Sequence, residues 1–191
     1  GKMGYAVAAE AARRGAEVCL VSGPTSLPCP AGVTRVDVVS AADMRDAVMA
    51  RAPWADVAVC AAAVADYTPA APADHKLKKA EGRLGSVELV ETADILAGLA
   101  ASGEVGYVVG FAAETRDLLD NARAKLASKG VDLLVANDVS RPDSAFGSDT
   151  DHVWLVDDAG AEELDTLTKA EVAAAIWDRV QADLGREGGA A

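Results

Sequence analysis

Aromatic residues make up only 4% of this 191-residue chain, although 51% of it is apolar, with alanine supplying much of that share. So few rings argue against an aromatic-rich β-sandwich and favour close helix–sheet packing. Cysteine is equally sparse. Cys19, Cys29 and Cys60 lie far apart, with no C-x-x-C spacing and no neighbouring histidine. A disulfide framework and a zinc site are therefore not expected, and a reducing cytoplasm is the expected compartment. Cys19 and Cys60 fall in apolar stretches and read as small core residues. His75 and His152 stand alone, which leaves a histidine metal cluster or cysteine–histidine catalysis without a framework. No signal peptide and no run of 18 apolar residues is present, so no membrane span is expected. Positive charge is short as well. A net charge of −12 argues against general binding to nucleic acid or to anionic membranes.

Several catalytic signatures are also missing. There is no Gly-x-x-x-x-Gly-Lys-Ser/Thr loop, so this is not a P-loop enzyme. A dinucleotide enzyme wants an acidic residue at the end of its second strand, to accept a ribose hydroxyl. Here that stretch ends Val21-Ser22-Gly23-Pro24. Tyr5, Tyr67 and Tyr107 are followed four residues on by Ala9, Ala71 and Phe111, so the Tyr-x-x-x-Lys pair of a short-chain dehydrogenase is absent. An NAD(P)-dependent reductase of the same fold thus loses its cofactor discriminator and its catalytic pair. A non-catalytic nucleotide-binding domain is the other rival reading.

What is present alternates. Apolar runs at 16–22, 33–39, 56–63, 106–111 and 131–136 predict buried strands. Helical patterns fill the intervals from Met3, from Ser40 (a cap with Asp43 in the first turn), from Thr92 as cap, and over 114–129 as the longest helix. A short strand is predicted over 87–90 and an alternating one over 152–156. Thr168 is the expected cap of a final helix reaching residue 184, with a disordered tail over 185–191. Strands alternating with helices imply a Rossmann-like α/β fold, a doubly wound and mostly parallel sheet covered on both faces. Such a sheet usually starts at its central strand. The helix opening on Gly1-Lys2-Met3-Gly4 has no strand before it, so the first strand is expected to lie upstream.

Seven lysines are present, and three of them, Lys76, Lys78 and Lys79, follow the stretch from Ala61 to Pro69. This charged loop leaves a buried strand, where sites are commonly built. On an acidic protein it makes a local positive spot suited to a small polyanion such as a nucleotide.

Gly1-Lys2-Met3-Gly4, Ala-Ala-Val-Ala-Asp-Tyr at 62–67, Lys76-Leu77-Lys78-Lys79, Gly110-Phe111-Ala112-Ala113-Glu114-Thr115, Lys125-x-x-x-Lys129 and Val135-Ala136-Asn137-Asp138-Val139-Ser140 resemble one family in order and spacing across nearly the whole chain. It is bacterial phosphopantothenoylcysteine synthetase, the ligase half of the bifunctional coenzyme A biosynthesis enzyme. The resemblance implies a single ligase domain over 1–184, with a flap at 64–86 and a dimerisation and loop region at 137–165. It also implies a reaction. The carboxylate of 4′-phosphopantothenate attacks the α-phosphorus of CTP, pyrophosphate leaves, and the amine of L-cysteine displaces CMP from the acyl-cytidylate. Mg2+ would bridge the triphosphate, with its ligands unassigned, and no flavin is expected in this domain.

Carried onto this sequence, the resemblance makes Lys76 the catalytic cation. Gly1, Cys60, Ala61, Ala62, Asp66, Thr92, Ala93, Asp94, Ile95, Phe111, Lys125 and Lys129 become nucleotide contacts. Asn137, Asp138 and Phe146 become substrate or interface candidates. Lys125 and Lys129 share a helix face. They come late in a helix whose start faces the active edge, so simple geometry points them away, and a cationic helix end favoured by the dipole is their rival role. The family is dimeric, so a homodimer is expected, with a sheet across the interface formed by 152–156 and 87–91, or a larger assembly with the decarboxylase domain. The family also has a Gly-rich turn and an Arg…Asn segment before Gly-Lys-Met-Gly. A chain without them is expected to ligate poorly.

Overall fold

The computed structural model describes residues 1–77, 85–141, 143, 144 and 147–187. Lys78, Lys79, most of the rest of the flap's second half and Phe146 lie outside the described residues. Five helices are seen among them: α1 (Lys2–Arg13), α2 (Ala41–Met49), α3 (Ile95–Ser102), α4 (Leu118–Lys129) and α5 (Lys169–Glu187). The strands β1 (Val18–Ser22), β2 (Val33–Asp37), β3 (Val57–Cys60), β4 (Tyr67–Pro69) and β5 (Leu89–Glu91) alternate with the first helices. The strands β6 (Tyr107–Glu114), β7 (Leu133–Asp138), β8 (Thr150–Asp151), β9 (Val153–Asp157), β10 (Gly160–Glu163) and β11 (Leu167–Thr168) follow.

The main sheet has the order β10-β9-β7-β6-β3. Its β3, β6 and β7 run parallel, while β9 and β10 close one side antiparallel. Alternate residues of β6 and β7 feed two cores, as the period of two requires. Val109, Leu133 and Val135 pack with Val7 of α1 and with Val172, Ile176 and Val180 of α5. Val108, Leu134 and Ala136 pack with Leu99 of α3 and with Ala122 and Leu126 of α4. Both faces are covered, which is why these strands read as unbroken apolar runs. The fold is α/β, with parallel strands flanked by helices. A separate parallel pair, β1-β2, lies beside α1 and α2. Among the described residues β1 pairs only with β2, and β3 only with β6. Among the described residues no helix is long and apolar enough to cross a membrane.

Local chemistry explains most boundaries. The Ser40 hydroxyl accepts from the Asp43 N–H and the Asp43 carboxylate accepts from Ser40, a complete capping box for α2. Gly103 and Gly130 end α3 and α4 in the left-handed conformation, at φ 66° and 64°. Gly110 has a different use. A Cβ there would meet Leu96 at 2.8 Å and Leu134 at 3.0 Å, so glycine lets α3 close against β6.

Five expectations need correction. Thr92 does not cap the helix after β5; Asp94 does, accepting from the Ala97 N–H at 2.9 Å. The helix predicted over 114–129 begins only at Leu118, because Phe111 to Glu114 continue β6 in register with Val135 to Asp138 of β7. It has 12 residues, and α5, with 19, is the longest helix. The stretch 152–156 cannot form a sheet across a dimer interface, since β9 is flanked by both β7 and β10. The tail expected from residue 185 is still helical to Glu187; residues 188–191 lie outside the described ones.

Candidate active site at the carboxyl edge of the sheet

Parallel strands bring their carboxyl ends to one edge, and loops beyond that edge carry chemistry. Here the edge is stepped. β3 ends at Cys60, level with Gly110, whereas β6 and β7 continue together to Glu114 and Asp138. Four extra residues at about 3.3 Å each raise β6 by roughly 13 Å above the end of β3. Ala61 and Ala62 form the floor below this step. The wall is the upper part of β6, from Phe111 onward.

Two helix starts converge on the floor. Gly4, in the first turn of α1, faces the Ala61 Cβ at 3.6 Å from its own Cβ position. Gly1 is the exposed N-cap of α1 and offers no side chain as a cap, so it leaves room for an anion at the N–H groups of the first turn. On the other side stands the start of α3, with Asp94 as its cap, and with Ala93 exposed and Ile95 buried in the core.

Lys125 and Lys129 reach the site, contrary to the geometric expectation. The Lys125 Nζ donates to the Phe111 carbonyl at 3.2 Å, and the Lys129 ammonium pairs with the Asp94 carboxylate. The delayed helix start is the reason. Lys125 lies seven residues into α4, about 10 Å at 1.5 Å per residue, and Phe111 lies three strand residues, also about 10 Å, below the top of β6. Lys125 therefore stands at the height of the floor, and Lys129, about one turn farther along α4, reaches Asp94.

The electrostatics follow from these contacts. Burial works against the ionised form of Asp94, but the Ala97 N–H and the Lys129 ammonium outweigh it and hold its carboxyl below the usual carboxylate range. Cys60 is the opposite case. Burial, with a smaller contribution from the Asp94 charge, pushes its thiol up to about 11, so at neutral pH it is a neutral packing group rather than a nucleophile.

The exit from β3 is held mainly through Thr92. Its hydroxyl donates to the Ala65 carbonyl at 2.6 Å, and its N–H donates to the Asp66 carbonyl at 2.9 Å. These two bonds fix the backbone of Asp66 beside α3 and leave its side chain exposed. Lys76 is exposed farther along the same segment. The exit from β7 is built differently. The Asn137 amide is turned into the protein, donating to the Ser144 carbonyl and to Asp151 Oδ1, each at 3.2 Å, and accepting from the Ser144 hydroxyl. Asp138 stays at the edge, where its Oδ1 accepts from the Ser140 N–H at 3.0 Å and from the Ser140 hydroxyl at 2.5 Å.

Sequence reading overlooked two groups here. Lys2 Nζ donates to the Gly147 carbonyl at 2.9 Å and pairs with Asp149 at 2.6 Å, joining the start of α1 to the loop after β7. Asp151 and Lys169 form a buried ion pair at 2.8 Å. One signal was available for each, since a lysine in the first turn of a helix opposes the macrodipole.

Elsewhere the surface offers less. At the end of β1 the Ser22 hydroxyl is buried against the Tyr5 hydroxyl at 2.9 Å, so the place where a dinucleotide enzyme holds its ribose is closed. A cleft of about 560 Å³ lies at the opposite, amino edge. Of its lining groups, Tyr107 donates to Asp183 at 2.7 Å, Arg186 pairs with Asp183, and Asp157 pairs with Arg179 behind it. Among the described residues no group of three or more His, Cys, Asp or Glu side chains could hold a metal ion.

Known proteins are similar to this chain in sequence and fold. The family model for the DNA/pantothenate metabolism flavoprotein C-terminal domain matches residues 1–184. The coenzyme A biosynthesis bifunctional protein CoaBC of Bacillus subtilis is 45% identical over 95% of this chain and 45% of its own length. Its Escherichia coli (strain K12) counterpart is 49% identical over 81% of this chain and 39% of its own length. The chain thus spans about half the length of the curated relatives it matches. The crystal structure of the C-terminal domain of a CoaBC protein superposes with a TM-score of 0.80 at 38% identity, covering 97% of this chain and 84% of the other.

Proposed function

The chain belongs to the DNA/pantothenate metabolism flavoprotein C-terminal domain family, and on that premise we propose that it is the CTP-dependent ligase acting on 4′-phosphopantothenate and L-cysteine in coenzyme A biosynthesis. The observation that carries the reading is the stepped edge, where Lys125 and Lys129 stand beside the floor formed by Ala61 and Ala62. In the first half-reaction the substrate carboxylate oxygen bonds to the α-phosphorus of CTP and the bond to pyrophosphate breaks. In the second, the cysteine amine attacks the acyl carbonyl, CMP leaves, and the amine gives up a proton.

Both halves concentrate negative charge on phosphate oxygens, which fixed cations stabilise best where water is excluded. Lys76 supplies that charge from the flap, with Lys125 and Lys129 from α4. Asp66 would accept a ribose hydroxyl, and the backbone of Cys60 to Ala62 would lie against the nucleotide. Magnesium keeps several waters and is commonly held by substrate phosphates with one or two carboxylates. That habit fits a site where Asp66 is exposed and Asp94 is engaged by Lys129; the ion would neutralise triphosphate charge.

A homodimer completes the reading. The β4-β5 ribbon exposes Tyr67, Leu89 and Val90, and an exposed two-stranded ribbon is a ready edge for pairing with a second copy. The test is pyrophosphate release by the protein with phosphopantothenate, cysteine and either CTP, ATP or NADPH present. Release with CTP and formation of the amide are expected. Binding of CTP without any release would reduce the domain to a nucleotide-binding module, and a shift in melting temperature only with NADPH would overturn the reading.

A further inference from the structure

We propose that the buried Asp151–Lys169 ion pair positions the acceptor half of the site, acting through Asn137 to aim Asp138 at the amine substrate. The inference rests on the ligase reading. Asp151 lies on β8 and Lys169 opens α5, and their side chains are 4% and 12% exposed. Lys169 Nζ also donates to the Thr150 carbonyl at 3.2 Å, while the other Asp151 oxygen accepts from the Asn137 amide. Asn137 in turn holds Ser144, whose hydroxyl oxygen accepts from the His152 N–H at 2.8 Å. One ion pair therefore ties together the end of β7, the middle of the following loop and the strand that closes it.

Stability alone does not explain this choice. A buried ion pair commonly contributes no more than apolar packing of the same volume, and a lysine at a helix start opposes the dipole. What the pair does supply is a single orientation. Asn137 follows Leu133 and Val135 on the α5 side of β7, so Asp138 falls on the opposite side, with Leu134 and Ala136, toward α4. Its Oδ1 is engaged by Ser140, and its neighbour across the ladder is Glu114. A carboxylate there can hold an ammonium group and accept the proton that the amine loses on attack. The nucleotide lies one strand away, over β3 and β6, so the acceptor would approach from the β7 side.

The test compares Lys169→Met, Asp151→Asn and their double variant. Each single variant should raise KM for cysteine about tenfold, the order of one lost charge-assisted contact, and leave KM for CTP within about twofold. The double variant should be no worse than the poorer single one, because the two residues act as a unit. Asp138→Asn should reproduce the same KM split, and Lys169→Arg should restore most of it. Amide hydrogen exchange over 138–141 and 147–151 should quicken in the Met variant, while α4 and β6 stay protected. If exchange is unchanged, or if KM for CTP and for cysteine rise together, the pair is merely structural and the proposal fails. If the wild-type protein releases no pyrophosphate, the ligase reading falls, and the exchange result still decides whether the pair orders this loop. Should Lys169→Met not fold, Lys169→Arg and Asp138→Asn carry the same comparison.

Discussion

The exits from β3 and β7 leave the same edge of one sheet, yet they are held in opposite ways. From Ala62 to Leu77 every residue except Val64 is exposed, and the segment is tied down by two bonds from Thr92 and three β4-β5 pairs. After β7, Ser144, Asp151 and His152 are buried, and buried side-chain bonds join them to Asn137 and Lys169. Segments with few buried contacts open at little free-energy cost, whereas interlocked buried polar groups favour one arrangement. One side of this edge is thus held by few contacts, and the other by many. A two-substrate ligation has use for both, since a reactive intermediate needs cover and a second substrate needs a fixed approach.

The sharpest way to break this contrast is at Lys76. As an exposed flap residue it adds little to folding, so Lys76→Ala should leave the melting temperature within error. If it supplies charge only once the flap closes, kcat should drop by about 10²–10³-fold, the usual cost of one transition-state donor. A variant that melted earlier but turned over normally would place Lys76 among the structural residues and remove the functional reason for an exposed wall.

Thr92 tests how the exposed wall is anchored. Thr92→Val keeps the shape and the backbone N–H bond but loses the hydroxyl contact to the Ala65 carbonyl. About 1 kcal/mol of stability should go with it, together with faster exchange at residues 61–66 and a few-fold rise in KM for CTP. No change in exchange there would mean that the floor is held by packing alone.

Much of this was readable in the chain. The strand runs and the Ser40–Asp43 box show themselves locally, because buried parallel strands are continuously apolar and caps use fixed spacings. The step in the edge was not readable. Ala112, Ala113 and Glu114 favour helix, and only pairing with β7, a contact between distant segments, keeps them in strand. The positions of Lys125 and Lys129 depend on that step, so the same error displaced both. The network after β7 was hidden for a related reason. Asp151 and Lys169 have no periodic relation in sequence, and they meet because β8 pairs with β11 immediately before α5.

Asp94 gives the smallest effect and the most specific one, since it stands where the exposed wall meets the helices packed on the sheet. Its carboxyl titrates below the ordinary aspartate value of 3.8, with burial opposing and the Ala97 N–H and Lys129 prevailing. A folded-state pKa below the unfolded one stabilises the fold at pH values above the unfolded pKa. That stabilisation fades as pH falls below it and is gone once the folded pKa is passed. Asp94→Asn keeps a competent helix cap and removes only the charge. The melting temperature of the wild type should therefore exceed that of the variant at pH 7, with the gap narrowing below about pH 4. Added salt should shrink the gap further, because the Asp94 and Lys129 side chains are 44% and 29% exposed and surface pairs are screened. A gap that persisted unchanged at low pH would mean that the cap, and not the Lys129 ion pair, anchors this corner of the floor.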